Sequence, residues 1–266
     1  MKRKVVLFVF IYILLEGCSH TQVITPKAAT EHNVSQISAS ELETDEFAEE
    51  YEDEKKEALS DPLRSYNEIM TSFNDGLFIY VLDPISQSYA NILHRAIRTS
   101  FANFIHNLQF PIRFSNNLLQ AKFKNTTEET ERFLLNTTLG IGGLFDPASH
   151  YLNIQAHNED FGQTLGFYGV GAGFHVVLPL LGPSNVRDIV GLCVDTFTSP
   201  LVYQPSLRKL RIPSNYLESI GIYGLQTINK NALNLGAYEI LKKDAMDLYP
   251  FLRDFYEQKR LSDIQE

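Results

Sequence analysis

The residues of this sequence that most suggest chemistry are glycines gathered in one short stretch. Five of the fifteen glycines in the chain fall within twelve residues, at Gly162, Gly166, Gly169, Gly171 and Gly173. A glycine-rich turn that opens a helix can hold the phosphates of a nucleotide, because its backbone amides come close to the anion. That fingerprint needs a helix directly after the glycines. Here the chain continues as HVVLPLLGPSN, whose prolines and glycine oppose a helix, so the sequence does not predict a dinucleotide site.

Other kinds of catalytic or metal-dependent chemistry find little support. No GxSxG motif occurs, and Ser184, within GPSNV, is typical of a helix N-cap. The neighbours His157, Glu159 and Asp160 favour a solvated turn over a metal site, whose ligands must converge in space. Cys193 lies in the apolar stretch DIVGLCVD and is expected to be a small buried side chain. We therefore predict no catalytic residue, no metal ligand and no cofactor.

Aromatic residues alternate with the glycines, and this suggests a different role for the stretch. Glycine permits a positive φ angle and a movable backbone, while aromatic rings suit an interface between apolar and polar surroundings. The pattern fits either an ordinary turn or a hairpin that lines or gates a passage, and we favour the hairpin. The best strand candidate, GFHVVLPLLG, follows directly and would pair with a short neighbour.

The elements that must position this stretch have helical periodicity. Apolar residues at helical spacing predict one amphipathic helix over residues 89–108 and an earlier one over 69–80. Core packing and an outward-facing apolar surface explain these stripes equally well. Asp-Pro pairs at 61–62, 83–84 and 146–147 are typical of an N-cap followed by the first helical residue.

The remaining sequence continues in the same style. The stretch TTEETERFLLNTTLG predicts a helix that ends at Gly140, and the C-terminal third predicts two more helices, the second broken or kinked by Pro250. The predicted fold class is mainly α, a single domain over residues 61–260 with one hairpin, followed by a short tail at 261–266.

The N-terminus has the pattern of a lipoprotein signal. A basic start, MKRK, precedes eleven apolar residues, which are too few to span a bilayer but suit a signal peptide. The following Leu15, Gly17 and Cys18 lie where bacterial lipoprotein signals place a leucine, a small residue and the lipidated cysteine. We predict that residues 1–17 are removed and that Cys18 carries the lipid anchor. Ser19 favours the outer over the inner membrane.

An acidic segment follows the predicted anchor. Residues 41–57 contain ten acids and two lysines, so residues 18–60 are predicted to form a disordered, flexible tether that cannot bury enough apolar surface to fold. The net charge of −9 for the whole chain argues against nucleic-acid binding, which requires clustered cations.

Several long stretches in fixed order resemble the VacJ/MlaA family of outer-membrane lipoproteins. They span nearly all of residues 61–260 and read DPLRSYNEIMTSFN with VLDPI, RFLLNTTLGIGGLFDPAS, EDFGQTLGFYGVGAGFHVVLPLLGPSNVRD and DLYPFLRDFYEQKR. The resemblance implies a non-enzymatic ring of amphipathic helices around a central channel, seated mainly in the inner leaflet of the outer membrane. It implies that phospholipids pass from the outer leaflet through this channel to a periplasmic lipid carrier, with a trimeric porin as partner.

Two features depart from the family pattern, and two other functions stay open. The acidic tether is long for the family, and Glu16 makes the lipid-attachment motif imperfect. A structural, porin-associated lipoprotein is the main alternative, and a lipid-modifying enzyme is a weaker one.

A basic segment gives the lipid hypothesis a specific form. No Asp or Glu occurs between Pro84 and Thr127, whereas this segment contains five cations, which are Arg95, Arg98, Arg113, Lys122 and Lys124. Arginine binds phosphate in a bidentate way, so we expect Arg95, Arg98 and Arg113 to face lipid phosphates. An ordinary solvated basic face is the alternative.

Overall fold

The computed structural model describes residues 61–243 and 245–266. The predicted signal peptide, Cys18 and the acidic tether lie outside the described residues. The described part is mainly α-helical with one two-stranded hairpin, which confirms the predicted fold class. Its elements are α1 (Arg64–Leu77), a π-helical turn (Phe78–Leu82), α2 (Asp83–Ile92), α3 (Arg95–Leu108), α4 (Phe110–Leu119), α5 (Phe123–Thr138), α6 (Pro147–Leu152), α7 (Phe161–Phe167), β1 (His175–Leu178), β2 (Gly182–Asn185), α8 (Val186–Thr198), a 3₁₀ turn (Pro205–Leu210), α9 (Tyr216–Leu233), α10 (Ala237–Lys243) and α11 (Leu248–Gln265).

Only one of the three Asp-Pro pairs caps a helix. Asp146 accepts a hydrogen bond from the Ser149 amide, and Pro147 is the first residue of α6. Asp61 lies ahead of α1, whose N-cap is Leu63, and Asp83 lies inside continuous helical backbone. The prediction was wrong at Asp83 because its N–H donates to Phe78 O across the π-helical turn, so the helix passes through without a new start.

The apolar stripe over residues 89–108 belongs to two helices instead of one. Leu93 has an extended backbone, and the His94 side chain accepts a hydrogen bond from the Ala96 amide to begin α3. The C-terminal segment is also divided, between α10 and α11, with Pro250 in the first turn of α11. Helix α11 continues through residues 261–265, which we expected to form a separate tail.

The predicted hairpin is present and leads directly into α8. Strands β1 and β2 are antiparallel, with His175 opposite Asn185. The N-cap of α8 is Asn185 and not Ser184, because the Asn185 side chain accepts from the Asp188 amide at 2.9 Å. Ser184 lies one residue earlier, inside β2 and opposite Val176.

Two asparagines on α1 hold the outer edge of β1. Asn67 donates to His175 O at 3.1 Å and accepts from the Val177 amide at 2.8 Å. Further along the same helix, Asn74 donates to Leu178 O and accepts from the Leu180 amide. Each side-chain amide therefore replaces a backbone partner on the open edge of the strand.

Replacing the deeper asparagine is expected to loosen the hairpin. Asn67 is fully buried, so Asn67→Ala leaves a strand carbonyl and amide without partners and should cost about 2–4 kcal/mol of unfolding free energy. Asn74→Ala should cost clearly less, because this side chain is only half-buried and water can replace it. Urea unfolding of both variants tests this; equal losses would contradict it.

The distribution of polarity is inverted relative to a water-soluble protein. Among the described residues, six hydrophobic side chains are buried, against twenty-four polar or charged ones. Meanwhile Tyr80, Ile92 and Leu217 are each at least 80% exposed. Much of the two predicted apolar stripes, including Ile69 and Phe73, therefore faces outward and is not core, although Ile105 is buried. No helix in residues 61–243 and 245–266 is both long and apolar enough to cross a membrane.

Candidate functional site

Four cavities follow one another through the described domain and share walls. The largest, which we call the central cavity, has a volume of about 330 Å³ and lies between the hairpin, α8 and α11. A neighbouring cavity under the hairpin shares Leu181 and Pro183 with it. On the other side, a cavity against α9 shares Leu192 and Asp195 with the central cavity. A fourth, between α3 and α9, shares Gln109 and Gln226 with the third. The helices thus surround a row of adjacent cavities that are separated by shared side chains.

The wall of the central cavity carries a network of charged groups centred on Arg260. This guanidinium donates to both carboxylate oxygens of Asp160, at 2.8 and 2.9 Å, and to both of Asp188, at 2.8 and 2.9 Å. The Tyr256 hydroxyl and the Arg187 guanidinium also donate to Asp188. These bonds connect α7, α8 and α11, because Asp160 caps α7 while Asp188 lies in α8.

The network shifts the pKa values of its members in the direction that keeps the ions charged. Burial alone would raise the pKa of Asp188, but hydrogen bonds from Arg260, Tyr256 and Arg187 lower it below its ordinary value. Burial and the Asp188 carboxylate raise the pKa of the Tyr256 phenol. Burial opposes the charge on Arg260, but hydrogen bonds to Asp160 and Asp188 outweigh it and raise its pKa.

Asp195 is the acid that divides two of the cavities. Its carboxylate accepts from Asn116 Nδ2 at 3.0 Å and from the Phe161 amide at 3.0 Å. Burial raises the pKa of Asp195 to about 6, and the hydrogen bonds from Phe161 and Asn116 offset only part of this effect. At the boundary between the central cavity and the α9 cavity, the wall therefore carries a carboxyl group that titrates near neutral pH.

We expect the pH dependence of stability to report this acid. Because the folded-state pKa is about 6 and the ordinary value is 3.8, the folded protein binds more protons than the unfolded chain between these values. The contribution of Asp195 to stability is therefore present at low pH and lost as pH rises through this window, by about 3 kcal/mol in total. Relative to Asp195→Asn, the wild type should lose most of this amount between pH 4 and pH 7 in urea unfolding. A pH-independent difference would contradict the assignment, and Asp254→Asn controls for loss of a surface carboxylate.

The five predicted glycines divide into two structural groups. Gly162 and Gly166 lie in α7, so the prediction that they belong to the hairpin is corrected. A Cβ on Gly162 would approach Asp188 Oδ1 to 2.4 Å, and one on Gly166 would approach Ile264 Cδ1 to 2.5 Å. These two glycines permit close packing of α7.

The other three glycines lie in the segment between α7 and β1, residues 168–174, which we call the glycine loop. Gly169 has a φ angle of +81° and no atom near its missing side chain, and Gly171 is equally open. Gly173 has a φ angle of +74° and packs against Val186. The loop begins at Tyr168, whose hydroxyl donates to Leu119 O at 2.6 Å. It is thus an exposed loop attached at both ends, beside the hairpin.

The three arginines expected to face phosphate are not equivalent. Arg95 is exposed, as both the phosphate-facing prediction and its solvated alternative require. Arg98 is buried and donates to Leu93 O and Ala232 O. Arg113 is buried and pairs with Glu129 at 2.7 Å, while donating to His106 O. The guanidinium groups of Arg98 and Arg113 are thus used inside the protein, and a surface role for these two is corrected.

Two further predictions change in the structure. The stretch around His157 is not a solvated turn, because Glu159 is buried and binds Lys122 Nζ at 2.6 Å and Gln120 Nε2 at 2.7 Å. Asp160 binds Arg260, so the neighbouring polar residues face different partners. Cys193 is exposed instead of buried, because it lies on the outer face of α8.

Sequence reasoning missed the polar network, although a signal for it exists. Asn67, Thr71 and Asn74 follow helical spacing on the face of α1 opposite its apolar stripe, and all three turn inward. A polar stripe at helical spacing beside an unusually apolar one indicates a helix with its polar face inside. Arg260 and Asp188 carry no such local pattern, because their contact joins residues 72 positions apart.

Two arrangements that enzymes use are absent from the described residues. Within residues 61–243 and 245–266, no histidine nitrogen is hydrogen-bonded to a serine, threonine or cysteine side chain, as a nucleophile–base pair would require. The same ranges contain no group of three or more side chains suited to hold a metal ion.

Taken together, these features define a class of protein: a domain of amphipathic helices with an apolar exterior, a buried interior rich in polar side chains, and cavities between the helices whose walls carry charged groups. The family described as "MlaA lipoprotein" matches residues 59–263, and the chain belongs to this family.

Similar proteins of several bacteria support this assignment. The protein named "Intermembrane phospholipid transport system lipoprotein MlaA" in Haemophilus influenzae is 32% identical over 201 residues, covering 75% of this chain and 77% of that protein. The protein of the same name in Escherichia coli K12 is 32% identical over 207 residues, covering 77% and 78%. A solved structure reported as "Structural basis for maintenance of bacterial outer membrane lipid asymmetry" matches with a TM-score of 0.65 and 31% identity. It covers 77% of this chain and 99% of that one.

Proposed function

We propose that this protein transports phospholipids out of the outer leaflet of the bacterial outer membrane. The observation that carries the proposal is the inverted polarity, with charged and amide groups around open cavities inside and large apolar side chains outside. A headgroup passes along the polar wall, while the acyl tails stay in contact with apolar surface. The similar proteins named for intermembrane phospholipid transport and the structure concerned with lipid asymmetry support the same function.

The physical task is to lower the cost of moving a charged headgroup past hydrocarbon. Moving an unpaired charge or polar group from water into an apolar layer costs several kcal/mol of transfer free energy. A wall with carboxylates, guanidinium and amide groups offers hydrogen-bond partners along the way, so the passage needs neither a covalent step nor a bound nucleotide. We therefore propose a transporter and not an enzyme.

The proposed setting follows from the sequence motifs and the family. Residues 1–17 are removed, Cys18 carries the lipid anchor, and residues 18–60 form the acidic tether that links the anchor to the helical domain. The protein lies at the periplasmic side of the outer membrane, beside a trimeric porin, and passes its lipids to a periplasmic carrier. Membership of the MlaA lipoprotein family and the lipoprotein-type N-terminus support this arrangement.

The glycine loop is proposed to be the moving part of the passage. It is exposed, and nothing lies within 4 Å of a Cβ built at Gly169 or Gly171. A movement of the loop would need to break the hydrogen bonds that Arg187 donates to the Val170 and Ala172 carbonyls.

Stiffening this loop is expected to impair transport without unfolding the protein. The double change Gly169→Val and Gly171→Val should raise outer-leaflet phospholipid several-fold in cells, because β-branched residues restrict the backbone there. Gly236→Val, at the similarly open glycine before α10 with a φ angle of +82°, imposes the same strain elsewhere and should leave lipid levels normal. Normal outer-leaflet phospholipid in the double variant would show that the loop is an ordinary turn and does not need to move for transport.

The decisive test of the function is the outer-leaflet phospholipid content of a deletion strain. We expect it to rise on deletion and to fall again on complementation with the wild type. The structural alternative predicts that passage variants with intact porin complexes complement fully. Release of free fatty acid from phospholipid by the purified protein would instead establish an enzyme.

A further inference from the structure

The segment between α8 and α9 combines cations with exposed apolar side chains. It contains the 3₁₀ turn and runs over residues 205–212, PSLRKLRI, which we call the basic loop. Arg208 and Lys209 are exposed and form no ion pair within the part of the chain that the structure describes. Beside them, Leu210 is 73% exposed and Ile212 is 52% exposed. Leu217, at the start of α9, is 80% exposed.

The electrostatic surroundings of the basic loop are free of acids along the chain. No Asp or Glu occurs between Asp195 and Glu218, whereas Arg208, Lys209 and Arg211 all lie there. Asp195 is buried in the cavity wall. Glu218 accepts hydrogen bonds from the Ser214 amide and from Asn215 Nδ2, and within residues 61–243 and 245–266 it forms no ion pair with a cation of the loop.

The basic loop is also held in a fixed position. The Arg211 guanidinium donates to Phe197 O and Ser199 O at the C-terminal end of α8, and the Ile212 amide donates to Pro200 O at 3.0 Å. On the other side, the Tyr203 amide donates to Ser219 Oγ at 2.8 Å. Arg211 therefore has a structural role. Hydrogen bonds hold the loop in place, and its exposed side chains are Arg208, Lys209 and Leu210.

We propose that the basic loop binds the surface of an anionic phospholipid layer, with Arg208 and Lys209 at the headgroup phosphates and Leu210 inserted among the acyl chains. A membrane interface suits a cationic side chain beside an apolar one, because charged headgroups cover apolar tails there. Arg208 and Lys209 complement anionic headgroups, and the exposed Leu210 beside them complements the acyl chains beneath. This inference rests on the proposed contact with lipid and adds a preference for negatively charged lipids at one site.

Tryptophan fluorescence provides the test, because the chain contains no Trp. The full chain with Leu210→Trp is reconstituted into phosphatidylcholine vesicles with and without phosphatidylglycerol, and quenching by brominated lipid is measured. We expect strong quenching on the anionic vesicles, weakened by salt, and weak quenching on phosphatidylcholine alone. Adding Arg208→Ala and Lys209→Ala should reduce insertion by about fivefold per cation, or roughly 25-fold together.

A matched control removes the same charge elsewhere. Lys124→Ala with Lys259→Ala, in the same tryptophan background, deletes two exposed lysines that lie beside Glu128 and Asp263 and should leave quenching unchanged. Quenching that does not depend on the two loop cations overturns the proposal. An unquenched tryptophan in vesicle-bound protein also overturns it, as would follow if the acidic residues 41–57 covered the loop. Failure of the unaltered chain to contact lipid by any part of residues 61–266 would instead count against the proposed function.

Discussion

Arg260→Ala is expected to lower the free energy of unfolding by about 3–5 kcal/mol. The change leaves Asp188, whose side chain is 7% exposed, with a buried charge that has lost its main partner. The lower end of the range is the better expectation, because the Asp160 side chain is 42% exposed and water can take over part of its bonding. Since Arg260 connects α7, α8 and α11 at the wall of the central cavity, lipid transport should fall together with stability.

The neighbouring lysine offers a matched control for this result. Lys259 forms an exposed ion pair with Asp263, so Lys259→Ala should change the unfolding free energy by less than about 1 kcal/mol. The pH dependence adds a second readout. Because Arg260 lowers the pKa of Asp188, the ion pair stabilises the folded protein above the ordinary Asp pKa, and this stabilisation is lost as pH falls. The difference in unfolding free energy between wild type and Arg260→Ala should therefore narrow in acid. Similar losses for the two variants, or a gap that widens in acid, would refute the proposed role of Arg260.

Gly191→Ala is expected to destabilise the protein by about 3 kcal/mol or more. A Cβ at this position of α8 would lie 2.4 Å from Gly162 N and 2.7 Å from Gly162 Cα. The obstacle is the backbone of α7, which cannot rotate away, so the two helices must separate. That separation would also pull Asp160 away from Asp188, and the Arg260 network would open.

A second glycine tests whether this cost comes from close packing. Gly224 lies within α9, and a Cβ added there would meet no atom within 4 Å, so Gly224→Ala should stabilise the protein by about 0.5–1 kcal/mol through helix propensity. Thermal and urea unfolding of the two variants should therefore move in opposite directions. A neutral Gly191→Ala variant would show that α7 and α8 are not in close contact at this point.

Local structure was predictable from the sequence wherever a local rule governs the backbone. The hairpin was predictable because β-branched residues favour a strand and the Pro and Gly that follow favour a turn. The start of α6 was predictable because Asp146 caps the helix and Pro147 suits its first position. The break at Leu93 was not predictable, because the apolar periodicity continues across it without interruption. Ser184 was mistaken for a cap for a similar reason, since the adjacent Asn185 satisfies the same rule.

Side-chain position was much less predictable than secondary structure. Arg98 and Arg113 belong to an acid-free segment, which indicates a surface that binds anions, yet both point inward. The partner of Arg113, Glu129, lies just beyond that segment, and the partner of Arg98 is a carbonyl of α9. Local charge counts could not reveal either contact, because the contacts depend on how distant helices pack.

By itself, the sequence determined that this chain is mainly helical with one hairpin, that its long motifs match one family and that its first residues resemble a lipoprotein signal. These properties follow from the conformational preferences of neighbouring residues and from the order of motifs along the chain. Only the tertiary structure decided which face of each helix is inside. An amphipathic stripe has the same spacing whether its apolar side meets a core or a lipid layer, and the difference lies in the buried partners, such as Arg260 with Asp160 and Asp188, that distant parts of the chain supply.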